Sequence, residues 1–191
     1  MLRVLVIDDT PGRGAILEQA LVDAGCEVLE RLSTSQDMLA KVETLQPDLI
    51  LIDIDSPDRD TLESLGKMNQ AAPRPVVMFA ENSDASLTEK ALKAGVSAYV
   101  VDGLQPGRVK AIMDLAIARF REYKALRDEL SATRNELAER KLIDRAKGIL
   151  MKRKKLDEEQ AYQMLRKLAM NKGKRLADVA AELIDMVELL G

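Results

Sequence analysis

The sequence predicts a doubly wound α/β domain built on a parallel five-stranded sheet, followed by a long coiled-coil helix and a small three-helix bundle. Three observations carry this. Over residues 2–101, short apolar runs alternate with segments of 3.6-residue periodicity, the pattern of a parallel sheet covered on both faces. No proline or glycine occurs between Arg108 and Lys147, a long uninterrupted stretch for a helix in a globular domain. Beyond Gly148, apolar stripes at helical spacing recur with cap and turn signals between them.

Residues 2–7 read as the first strand, ending in Asp8-Asp9. Residues 14–24 place Ile16, Leu17, Ala20 and Leu21 on one helical face, and Gly25 is a good helix stop. A second strand is expected at 27–29 and a helix at about 35–45. Residues 48–54 (DLILIDI) form a continuous apolar run punctuated by Asp53, with the turn signal Ser56-Pro57-Asp58 behind it. Strands at 75–79 and 97–101 and helices near 60–71 and 86–94 complete the alternation.

A heptad template starting at Val109 then yields a seam through Ile112, Ala116, Tyr123, Leu126, Leu130 and Leu137, broken by Arg119, Thr133 and Arg140. Pairing with a second copy through this seam is the expected architecture; the other reading is a single helix packed back on its own domain. The helix is expected to continue through 142–155, with Ile143, Ala146, Ile149 and Leu150 as its apolar stripe. Asp157 caps a helix over 158–170 whose inner face is Ala161, Met164, Leu165, Leu168 and Ala169. A basic turn, Asn171-Lys172-Gly173-Lys174-Arg175, precedes a last helix over 176–190. The expected organisation is thus 1–118 for the α/β domain, 105–145 for the linking helix and 124–189 for the helical domain.

Charge is unevenly spread along the 191 residues. Residues 1–118 hold 11 Lys and Arg against 19 Asp and Glu, whereas 119–191 hold 18 against 13, and within 140–175 the count is 13 against 4. Such a split suits a basic module for a polyanion tethered to an acidic regulator; the alternative is the solvated face of a charged helix. The basic run Arg145–Lys155 is its densest part, with one glycine, Gly148, among helix formers. Gly148 serves either close approach of another backbone or simple helix packing. The absence of histidine argues against hydrolytic or zinc chemistry. The single cysteine, Cys26, and the lack of a signal segment or an apolar run of membrane-spanning length point to a cytoplasmic chain.

In parallel sheets ligand chemistry gathers at the carboxyl ends of the strands. Asp8 and Asp9 follow the first strand and Asp53 ends the third, so the three carboxylates are candidates for a divalent cation such as Mg²⁺; otherwise each caps a loop. Residues 1–118 resemble a response-regulator receiver domain (a flavodoxin-like fold). The matching features are Asp8-Asp9, Asp53 with Pro57 four residues on, and Ala94-Gly95-Val96-Ser97-Ala98-Tyr99. The resemblance implies that Asp53 is the phosphoacceptor and that Asp8 and Asp9 help hold Mg²⁺. Two positions depart from the family: Ala80 stands where Thr or Ser is usual, and Asp102 where Lys is usual. The missing hydroxyl and ammonium leave a phosphoryl group without its usual reporter and cationic partner. The domain is therefore expected to be a pseudo-receiver that engages proteins and is not switched by phosphate.

Residues 124–189 resemble the ANTAR domain of RNA-binding transcription antiterminators. The correspondence runs through Ile143, Ala146-Lys147-Gly148-Ile149-Leu150-Met151, Ala161, Leu165-Arg166, Ala169, Leu176 and Val179-Ala180. This implies a homodimer that binds tandem hairpins in a nascent leader transcript and prevents termination. The Asp102-Gly103 departure, with Leu104 and Pro106, is most similar to the nitrate/nitrite-assimilation subgroup, which implies an inhibitory nitrate-sensing partner protein. The residues expected on RNA are Arg145, Lys147, Lys152 and Arg153, with Lys172, Lys174 and Arg175 on the turn. Lys154 and Lys155 are expected to be solvated, and Arg166 to be tied to Glu158 or Glu159. With Tyr162 its one aromatic residue, the bundle is expected to lean on cations more than on stacking. No catalytic residues, required cofactor, membrane or DNA are expected. The competing readings are a DNA-binding two-component regulator switched at Asp53, in which 158–170 and 176–190 form a helix-turn-helix, and an adaptor without a nucleic-acid partner.

Overall fold

The computed structural model describes all residues except 10–13, 35–36, 83–84, 102–104 and 190–191. Its contacts divide the chain into two units, Met1–Lys124 and Ala125–Gly191, and the division falls within one helix.

The first unit contains β1 (Leu2–Asp8), α1 (Gly14–Asp23), β2 (Cys26–Leu32), α2 (Met38–Leu45), β3 (Leu49–Ile54), α3 (Arg59–Ala71), β4 (Val76–Ala80), α4 (Ala85–Lys93) and β5 (Ala98–Val101). The strands are all parallel, in the order β2-β1-β3-β4-β5. The expected alternation is therefore correct, and it is correct for the reason given: β3 and β4 are buried at every residue, as strands covered on both faces must be. One face packs Leu5, Ile7, Ile50, Ile52, Leu65 and Met68 together, and the other packs Val4, Val6, Leu17, Leu21, Phe79 and Met113. Because the strand order reverses at β1, the carboxyl ends of β1 and β3 lie side by side, and Asp8 stands opposite Asp53 in the register.

Local caps fix the elements around this edge. Asp37 accepts the Ala40 N–H at 3.1 Å and Asp58 the Thr61 N–H at 2.7 Å, so each satisfies a donor left open in a first helical turn. Gly95, between α4 and β5, has φ +102° and sits so close to Asn69 that an added Cβ would lie 2.2 Å from its Nδ2. Only glycine suits both constraints.

A short 3-10 turn, Pro106–Arg108, leads into α5 (Val109–Lys154), a helix of 46 residues. Its opening turns bury Val109, Met113 and Ala116 in the core of the first unit, with Ile112 packed against them. Of the expected seam residues, Ala116 is thus buried in this unit's own core and Ile112 is partly buried against it. The stripe they lie on covers the sheet, because four apolar residues at helical spacing can seal one face only once.

The second unit combines the latter part of α5 with α6 (Glu158–Lys172) and α7 (Leu176–Leu189) around Ala146, Leu150, Ala161, Leu165, Ala169, Val179, Ala180 and Ile184. α5 stops at Lys155, which takes the left-handed conformation at φ +52°. Asp157 then opens α6 with a reciprocal capping box: its carboxylate accepts the Gln160 N–H at 2.8 Å, and the Gln160 side chain accepts the Asp157 N–H at 3.1 Å. Gly173, at φ +61°, closes α6. None of the described helices is long and apolar enough to cross a membrane.

Candidate functional site

The acidic edge of the first unit is built from strand ends. Asp8 and Asp53 are both buried, which parallel pairing of β1 with β3 imposes on them. The Arg31 guanidinium from β2 lies 2.6 Å from Asp8 Oδ2. Asp9 is exposed and turned toward the β2–α2 connection, where it accepts the Thr34 N–H at 2.9 Å and the Thr34 hydroxyl. A cavity of about 280 Å³ beside them is lined by Asp9, Thr34, Ile54, Asp55, Ser56, Asp58 and Thr61. Asp8 and Asp53 are not among these lining residues.

Among the described residues no three carboxylate, thiol or imidazole groups come together as a cation set. Of the acids expected to hold Mg²⁺, Asp8 stands against the Arg31 guanidinium and Asp9 is hydrogen-bonded by Thr34. Ala80, at the end of β4, is fully buried and brings only a methyl group. Asp102 lies outside the described residues. Arg31 escaped the sequence reading because β2 was expected to end at residue 29; the strand runs on to Leu32, and that extension carries the guanidinium to Asp8.

In the helical unit, five of the seven cations expected on RNA are engaged within the chain. Arg145 pairs with Glu188. The Lys147 ammonium lies 2.8 Å from both Asp144 and Glu158, with its side chain only 15% exposed. Asp144 and then Glu158 hold that ammonium above the usual lysine range. Lys172, at 2.7 Å, and Lys174 share the Glu182 carboxylate, whose pKa falls to about 2 under the hydrogen bonds from Lys172 and Lys174. Arg175 spans Asp178, at 2.9 and 3.1 Å, and Glu139, at 3.0 Å. Lys152 and Arg153 are exposed in the last turn of α5 and have no polar partner among the described residues; the same holds for Lys154 and Lys155. Ion pairs this exposed contribute little and exchange readily for other anions.

Arg166 differs from its expectation. Glu158 is taken by Lys147 and Glu159 by the Gln163 amide at 2.8 Å, so Arg166 stands exposed on α6 without a partner among the described residues. At Gly148 an added Cβ would meet nothing within 4 Å, so packing inside the described chain does not call for this glycine.

The remaining seam positions Tyr123, Leu126, Leu130 and Leu137 are 51–64% exposed, although each is a large apolar or aromatic residue.

Comparison with known proteins settles the family. Residues 4–114 match the response regulator receiver domain and residues 131–184 the ANTAR domain. The transcriptional regulatory protein PdtaR of Mycobacterium tuberculosis (strain H37Rv) is 30% identical over 183 residues, covering 94% of this chain and 89% of its own. The chain is a receiver–ANTAR response regulator. A nitrate regulatory protein of Klebsiella oxytoca is 38% identical over 80 residues, which are 42% of this chain and 20% of that protein. The receiver of this response regulator shares its fold with a CheY-like receiver domain from Methanospirillum hungatei JF-1. That structure gives a TM-score of 0.56 at 24% identity, over 64% of this chain and 98% of the other. Both matched domains are regulatory, and the ANTAR domain makes RNA the partner class of the helical unit.

Proposed function

We propose that this receiver–ANTAR regulator is a transcription antiterminator that binds tandem hairpins in a nascent leader transcript and keeps the terminator hairpin from forming. The observation that carries the reading is the ANTAR match over 131–184 behind a receiver, a pairing that extends along nearly the whole length of PdtaR. The genes served are those of nitrate and nitrite assimilation; the short match to a nitrate regulatory protein and the sequence around Asp102-Gly103 support this. The active form is a homodimer joined along α5, supported by the exposed Tyr123, Leu126, Leu130 and Leu137 at heptad spacing.

Control comes from a nitrate-sensing partner protein and not from phosphate on Asp53. In support, Ala80 offers no hydroxyl to a phosphoryl oxygen, and Arg31 already neutralises Asp8. The test is capture of the full chain from cells grown with and without nitrate, followed by sequencing of bound RNA and identification of bound protein. Enrichment of leader hairpins upstream of terminators with nitrate, and of a partner protein without it, is the expected result. Equal competition of the captured RNA by duplex DNA would refute the RNA reading. Stoichiometric labelling of Asp53 by a small-molecule phosphodonor that changes RNA affinity would refute the mode of control.

A further inference from the structure

The cations most obvious in the sequence are largely paired. Arg145, Lys147, Lys172, Lys174 and Arg175 each hold a carboxylate of the same chain. The outer face of α6 has a different character. Ala161, Leu165 and Ala169 are buried in the bundle, and their chain successors Tyr162, Arg166 and Met170 form a line at i, i+4 and i+8 that is exposed throughout. Met170 is 72% exposed and Tyr162 37%. Gln163 and Lys167 flank the line, and neither Arg166 nor Lys167 has a hydrogen-bond or ion-pair partner among the described residues. Glu159, the acid at the head of this face, is hydrogen-bonded by the Gln163 amide.

An exposed phenol ring one helical turn from an unpaired guanidinium suits a flat, electron-rich, negatively charged partner. Unpaired nucleotides offer this: their bases stack on aromatic rings and guanidinium planes, and their phosphates accept from cations. A protein partner fits less well, since Tyr162 and Met170 alone give too little apolar surface for the dry centre of a stable interface. We propose that the Tyr162–Arg166–Met170 face of α6 is a stacking platform for unpaired RNA bases, with Lys167 beside it on the phosphate backbone. The proposal rests on the RNA-binding reading above and adds which face meets the loop and by what chemistry.

The test uses the full chain and hairpin RNAs that the wild-type chain selects from a pool sharing one stem and carrying randomised loops. A duplex of the same stem without a loop is the control. Tyr162→Ala should weaken loop-hairpin binding about ten-fold or more, the scale of losing one base stack. Tyr162→Phe should bind as wild type, and duplex binding should be unchanged in both. The chain contains no tryptophan, so Tyr162→Trp supplies a single reporter whose emission the loop RNA should quench and the duplex should not. Wild-type loop affinity in Tyr162→Ala, or equal loss for hairpin and duplex with lowered helicity, would overturn the platform. Failure of the wild-type chain to select any hairpin would overturn the RNA reading beneath it.

Discussion

Glu182 masks the basic turn, and removing its charge should expose that turn to RNA. The carboxylate holds Lys172 at 2.7 Å and Lys174 at the same time, and its pKa of about 2 keeps it ionised at any working pH. Glu182→Gln keeps the shape of the side chain and frees two ammonium groups. Each phosphate neutralised adds roughly 0.7–0.9 to the slope of log affinity against log salt, so the variant's slope should steepen by up to about 1.4–1.8. Between 50 and 200 mM salt that corresponds to roughly ten-fold more affinity lost than in wild type. The assay is a salt titration of hairpin binding by both proteins, with circular dichroism confirming that the bundle is intact. An unchanged slope would refute the reasoning: either Lys172 and Lys174 already leave Glu182 when RNA binds, or the turn lies off the RNA path.

Three further outcomes are expected. Because the folded-state pKa of Glu182 is depressed from the ordinary 4.5, its pairing contributes stability that is full above about pH 4.5 and fades as pH falls toward 2. The stability difference between wild type and Glu182→Gln, followed by urea melts across that range, should shrink steadily and be mostly gone at its acid end. Gly95→Ala forces a Cβ to within 2.2 Å of Asn69 at a φ of +102° and should cost about 2 kcal/mol or more, read from the denaturation midpoint of the receiver. Arg31→Ala removes the guanidinium 2.6 Å from buried Asp8 and should cost about 1–3 kcal/mol, part of which millimolar Mg²⁺ restores. Wild-type stability should not respond to Mg²⁺, and a wild type stabilised by Mg²⁺ to the same degree would sink that account.

The fold was legible because its strands are apolar enough to announce themselves. Burial of every residue in β3 and β4 leaves apolar runs as sequence, interrupted only by Asp53, and the pairing of Asp8 with Asp53 follows from adjacent parallel strand ends. The expected β2 stops before Glu30 and Arg31 because these charges interrupt its pattern, and with them goes the guanidinium beside Asp8. The basic turn was visible as composition, but its neutralisation was not. Glu182 and Glu139 reach Lys172 and Arg175 across 10 and 36 residues, a tertiary effect that charge counting over a window hides. Ile112 and Ala116 show the matching ambiguity for apolar stripes, since spacing reveals that a face is buried and not what buries it.

Every residue of α5 from 121 to 138 is exposed, whereas the same helix is buried in a core before and after that stretch. A helical segment that buries nothing of its own is held mainly by the turns flanking it, and such segments open cheaply. Its backbone amides should therefore exchange with solvent faster than those near Ala116 or Ala146. Association through Leu126 and Leu130 would slow that exchange in proportion to protein concentration. If two copies pair along α5, the solvated stretch at 121–138 would thus report that pairing without RNA.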